Sequence, residues 1–109
     1  MTTRREQLKG HLDLLLLSVL AAGPAHGYGV ITAIRQRSTG EFDLPEGTIY
    51  PALHRLEEAG LVDSHWAERA GRRRRVYQLN AKGAEELASK RTEWHRFADG
   101  VQAVIGGSA

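Results

Sequence analysis

Five arginines crowd into seven positions: Arg69, Arg72, Arg73, Arg74 and Arg75. The only acidic residues nearby are Asp63 and Glu68. Four consecutive like charges repel one another, and an anionic partner relieves that repulsion. The chemistry such a cluster supports is phosphate neutralisation, each neutralised phosphate adding about 0.9 to the salt dependence of binding. The competing reading is a solvated charged edge. On a strand, alternation puts Arg72 and Arg74 on one face and Arg73 and Arg75 on the other. Arg4, Arg5 and Lys9 make a second basic group near the N-terminus.

A second constellation lies upstream, where Thr48, Tyr50, Pro51, His54 and Arg55 fall near the start of a helical segment. Hydroxyls suit phosphate or base edges, and a guanidinium suits guanine or phosphate. Tyr50 reads equally as part of a core, and Arg55 as a solvated residue. His26 and Tyr28 stand at another helix start, where backbone N–H groups attract anions. The bland reading there is a core Tyr28 and an exposed capping His26. Trp94 sits in a helical seam, as a packing anchor or as one wall of a slot for a flat aromatic ligand across a dimer axis.

Other chemistries lack their parts. With no cysteine there is no disulfide, thiolate metal site or Cys nucleophile. His11, His26, His54, His65 and His95 show no i, i+4 pairing, and no glycine loop runs into Lys-Ser or Lys-Thr. The expectation is therefore no enzyme, no metal and no cofactor. The apolar run Leu12–Ala22 contains Asp13 and is shorter than the roughly 20 residues that span a bilayer. No signal-peptide core follows the first residues. A cytoplasmic protein without a membrane partner is expected.

The elements that position these residues follow from periodicity. Lys9–Ala22 reads as a helix, apolar nearly all round through Leu8, Leu12, Leu14, Leu15, Leu16, Leu17, Val19 and Leu20. Such a helix needs cover on more than one side, from its own domain and from a second subunit at Leu12 and Leu16. Gly23-Pro24 stops it. His26–Arg37 is a second helix, and Pro45–Ala59 a third with an Ile49, Ala52, Leu53, Leu56 stripe. Pro45 and Glu46 suit its first turn, and Gly60 its stop. Leu61–Arg69 and Arg74–Leu79 read as strands joined by an Ala70-Gly71-Arg72-Arg73 turn, a hairpin with a basic tip. Asn80 caps a final helix to about Ile105, whose Ala84, Leu87, Arg91, Trp94, Ala98, Val101 and Ile105 recur at three- and four-residue steps. From that seam Leu87, Trp94, Ala98, Val101 and Ile105 join Leu12 and Leu16 as a dimer interface. Gly106-Gly107-Ser108-Ala109 is a tail.

Three short helices, a hairpin and a last helix make a mainly α chain with a small β-hairpin. That is the order of a winged helix-turn-helix, here over residues 1–79, with residues 80–109 as a dimerisation helix and tail. In that plan the third helix enters the major groove of duplex DNA and the wing reaches flanking phosphate. Composition agrees without deciding. The chain has 109 residues, 41% hydrophobic and 26% charged, and a net charge of only +2. A domain of this size buries only about two-thirds of its unfolded surface, so a second copy would help it. With so small a net charge, the clustering of basic residues carries the argument. A rival remains: a winged helix that binds proteins rather than DNA.

The segments Gly27-Tyr28-Gly29-Val30 after His26, Gly47-Thr48-Ile49-Tyr50-Pro51-Ala52-Leu53-His54-Arg55-Leu56-Glu57, Gly60-Leu61-Val62, and Arg74-Arg75-Val76-Tyr77-Gln78-Leu79 with Lys82-Gly83 resemble the PadR-like transcriptional regulators. The resemblance spans roughly residues 8 to 105. It implies a homodimeric repressor on a dyad-symmetric operator, of the short type with one C-terminal helix. It also implies release by a small aromatic effector, with Tyr50 in the recognition helix and Trp94 in the dimerisation helix.

Overall fold

The computed structural model describes residue 8 and residues 10–106. The basic group Arg4, Arg5 and Lys9 and the tail residues 107–109 lie outside the described residues. The elements run α1 (Leu12–Ala21), β1 (Ala25–His26), α2 (Gly27–Arg37), α3 (Glu46–Glu58), β2 (Val62–Arg69), β3 (Arg72–Leu79) and α4 (Ala81–Ile105). Among the described residues no helix is long and apolar enough to cross a membrane.

Leu16, Leu17, Val19 and Leu20 bury α1 in the centre of the subunit, where α2, α3, β3 and α4 all touch it. The all-round apolar surface is thus covered largely from within. The helix starts at Leu12, two residues past Gly10, whose φ of +90° lies outside the helical region. Val30, Ile31 and Ile34 of α2 and Ile49, Ala52, Leu53 and Leu56 of α3 complete the core with Leu44, Val62, Tyr77 and Leu87.

The third helix carries two residues that helices disfavour. Relative to alanine, glycine costs about 1 kcal/mol in a helix interior and proline about 3 kcal/mol. Gly47 and Pro51 both lie within α3. Its cap is Pro45 in extended conformation, and the Ile49 N–H already bonds the Pro45 carbonyl at 3.1 Å. Pro51 therefore stands beyond the unpaired donors of the first turn, where a proline removes a real hydrogen bond.

Two features depart from the hairpin expected from sequence. The turn has two residues, not four: Ala70 (φ 53°) and Gly71 (φ 76°) give the paired positive φ of a type I′ turn. Arg72 and Arg73 accordingly belong to β3, in register with Arg69 and Glu68 of β2. A third strand also exists. Ala25 and His26 pair with Tyr77 and Val76, so the sheet order is β1-β3-β2, all antiparallel.

The last helix is fixed at its start. Asn80 caps it by accepting from the Gly83 N–H at 2.8 Å, and the Asn80 side chain donates to the Gly60 carbonyl at 2.9 Å. A helix of 25 residues is about 37 Å long. Its distal half extends from the body, giving extents of 57 × 29 × 21 Å. The radius of gyration is 15.4 Å, against about 13 Å for a compact chain of this length.

Candidate nucleic-acid interface

The buried stripe of α3 decides which residues point away. Gly47, Pro51, His54 and Glu58 fall opposite it and are exposed. Thr48 and Arg55 lie on the edge toward α1, where Arg55 Nη2 pairs with Asp13 Oδ1 at 2.6 Å. Tyr50 lies on the opposite edge, toward the sheet. Its ring packs on the start of α2, so close that a Cβ at Gly27 would stand 2.4 Å from it. Tyr50 is thus half-buried, and Tyr28 is exposed rather than core.

A cleft of about 570 Å³ joins these elements, lined by His26, Gly27, Tyr28, Tyr50, Trp66 and Arg72 to Arg75. The strand alternation expected for the arginines holds in their partners. Arg73 and Arg75 lie over the Trp66 ring, 4.9 and 5.3 Å from its centroid. Arg75 also donates from Nε to Ser64 Oγ at 2.9 Å and approaches Glu57 Oε2 at 3.7 Å. Ser64 Oγ in turn donates to Glu57. This chain ties the wing to the back edge of α3. Arg74 turns to the other face and meets His26, while Arg72 stands exposed opposite Arg69. From sequence Trp66 reads only as a strand former, because its cross-strand partners depend on register.

His26 is both a strand residue and the cap of α2. The Gly29 N–H donates to its Nδ1 at 3.1 Å, and Arg74 Nη1 lies 2.9 Å from its Nε2. A neutral imidazole accepts at one nitrogen and donates at the other, and a guanidinium only donates. Both neighbours are donors, so either tautomer leaves one donor facing another. Burial, and then the Arg74 charge, hold the His26 pKa below its ordinary 6.5.

The proposed dimer residues divide. Leu16 is 0% exposed and Leu87 3%, both inside the subunit's own core, so neither is free to meet a second copy. Leu12 packs partly on the same core. Trp94 meets His11 edge-on with centroids 5.1 Å apart, and lies 6.0 Å from Phe97. With Gly10, Leu14, Lys90 and Glu93 they line a second pocket of about 310 Å³. Ala98 is partly covered. Val101 and Ile105 are exposed beside Phe97 (58%) and Val104 (86%), two apolar residues that the seam spacing does not select.

Among the described residues, three helices, a three-stranded sheet whose last hairpin projects as a basic wing, and a terminal helix define a winged helix-turn-helix protein. Residues 16–89 match the Transcriptional regulator PadR-like family, and the chain belongs to that family. It is 30% identical to the transcriptional regulator Rv3488 of Mycobacterium tuberculosis, over 96% of this chain and 92% of that one. It is 31% identical to the transcriptional regulator YqjI of Escherichia coli, over 97% of this chain but 51% of that protein, so it spans about half of that relative. A PadR family transcriptional regulator from Eggerthella lenta superposes with a TM-score of 0.81 at 29% identity, covering 95% of this chain and 89% of that one. These are transcriptional regulators, and the same winged-helix DNA-binding architecture is present here.

Proposed function

We propose that this protein is a sequence-specific DNA-binding repressor that acts as a homodimer on a dyad-symmetric operator. The observation that carries this reading is the single cleft gathering Arg72, Arg73, Arg74, Arg75, His26, Tyr28 and Tyr50 beside the exposed N-terminal half of α3. Thr48, Pro51 and His54 of that helix face the major groove, and the wing meets flanking phosphate. Arg55, held by Asp13, serves mainly to fix α3 on α1. In a dimer, two such helices enter successive grooves about 34 Å apart. Hydroxyl-radical footprinting on duplexes enriched from a random library tests this. Two protected patches one helical turn apart are expected; no protection on any duplex would count against it.

The opposed donors of His26 and Arg74 suit one phosphate oxygen that accepts from both. A phosphate there favours the imidazolium and raises the His26 pKa from its lowered free value. Binding then takes up a proton, so affinity rises as pH falls toward the lowered value of the free protein. The free fold shows the opposite sign: the stabilising contribution of neutral His26 is complete above 6.5 and is lost as pH falls through the lowered value. His26→Asn keeps a capping side chain and should remove the acid gain in affinity. Equal pH dependence in parent and variant would exclude His26 as the titrating group.

The second copy seats on the distal half of α4, where Phe97, Val101, Val104 and Ile105 leave an apolar strip uncovered. Val104→Asp with Ile105→Asp should halve the mass seen by light scattering while leaving the helical circular dichroism of the body. An unchanged mass would move the interface elsewhere. A small aromatic effector fits the pocket at Trp94, beside that strip. Titrating aromatic acids while following tryptophan fluorescence, with Trp94→Phe as the blank, should give a saturating change specific to Trp94. No response across a broad panel would remove the effector from this pocket.

A further inference from the structure

Gly47 and Pro51 stand four residues apart on the outward face of α3, and both are exposed. Nothing lies within 4 Å of the place a Gly47 Cβ would occupy, and its φ is outside the left-handed region. Neither packing nor backbone conformation requires glycine there. Pro51 has no N–H to give the Gly47 carbonyl, its partner four residues back. Two helix-disfavoured residues therefore coincide at one bare spot, and the Pro51 ring stands where the Gly47 carbonyl would find its helical donor. A local rule broken without any gain inside the subunit points to a functional demand.

The chemistry of that spot is specific. It offers an exposed apolar ring beside a stretch of helix that carries no side chain. In the major groove an A·T pair shows an amino donor and a methyl group, a G·C pair an amino donor without the methyl. We propose that Gly47 and Pro51 form a base-reading spot for an A·T pair: the Pro51 ring packs on the thymine methyl, one turn along from the bare Gly47. The absence of a Gly47 side chain lets the backbone approach the base edge. This rests on the DNA-binding reading above, and adds to it a base that a proline ring selects.

The test uses the full chain, Gly47→Ala and Pro51→Ala, with duplexes enriched from a random library by the parent. Both variants should melt higher than the parent, Gly47→Ala by roughly 5 °C and Pro51→Ala by more. Both should bind the enriched duplex on the order of 10-fold more weakly, while a scrambled duplex binds all three alike. Replacing the contacted thymine by uracil, which removes one methyl, should cost the parent about 4-fold and Pro51→Ala nothing. If the variants bind the enriched duplex as the parent does, or if the uracil scan is the same for parent and Pro51→Ala, the assignment is wrong. A parent that enriches no sequence would overturn both this assignment and the DNA reading beneath it.

Discussion

Gly83→Ala should destabilise the protein by on the order of 3 kcal/mol, the upper end of what an added core methyl costs. The methyl would stand 2.0 Å from the Leu61 carbonyl oxygen and 2.7 Å from Leu79 Cδ1. A flexible side chain could swing aside, but the Leu61 carbonyl cannot easily do so. It accepts from the Asn80 N–H at 3.3 Å, Asn80 caps α4, and the Asn80 side chain holds the Gly60 carbonyl. Relief would require α4 to lift off the end of α3, exposing Leu87 and the base of the wing. For a domain of this size the melting temperature should fall by roughly 15 °C. Ala84→Gly, one residue on and exposed, should cost only about 1 kcal/mol. Melting of Gly83→Ala within a few degrees of the parent would show that the helix start is not held as described.

The second large effect concerns binding. Arg72 lies directly across the ladder from Arg69, a like-charge pair that disfavours the free hairpin, and Arg74 abuts Nε2 of His26. Neither is neutralised within the described subunit by a carboxylate. Arg75, by contrast, has Glu57 and Ser64 and shares the Trp66 ring with Arg73. Arg72→Ala with Arg74→Ala should lower affinity on the order of 100-fold for specific and scrambled duplexes alike. The slope of log affinity against log salt should shrink by about 1.8 per subunit, since two phosphates are no longer neutralised. Arg73→Ala with Arg75→Ala removes the same charge but mainly loosens the wing, so its slope should change less. Equal slope changes for both pairs would mean that all four arginines touch phosphate.

Much of this architecture is legible in the residue pattern. The apolar stripe of α3, its Pro45-Glu46 start, the Asn80 cap and the faces of the wing arginines all follow from local rules, and the structure keeps them. What escapes depends on distant partners. Ala25-His26 carries no strand signal, and becomes a strand only because β3 has a free edge beside it. Arg72 and Arg73 read as turn residues, since the two-residue turn asks a non-glycine, Ala70, to take positive φ. Leu87 obeys the spacing of a dimer seam and Leu16 lies on a helix apolar nearly all round, yet the subunit's own core claims both. Phe97 and Val104 fall off that spacing and remain exposed. The pairing of Arg55 with Asp13, 42 positions apart, and the cover of Trp66 by two arginines arise only in the folded chain. The local meaning of Pro51 is visible as a residue type, but its lack of any role inside the subunit is not.

The central claim is that the cleft and the outward face of α3 bind duplex DNA in a sequence-dependent way. A mobility-shift titration on the fragment upstream of the protein's own gene, with a scrambled duplex as competitor and salt varied, tests it most directly. The account predicts a complex that survives scrambled competitor and weakens linearly in log affinity with log salt. Equal competition by the scrambled duplex on every fragment tried, or no complex even at low salt, would contradict it.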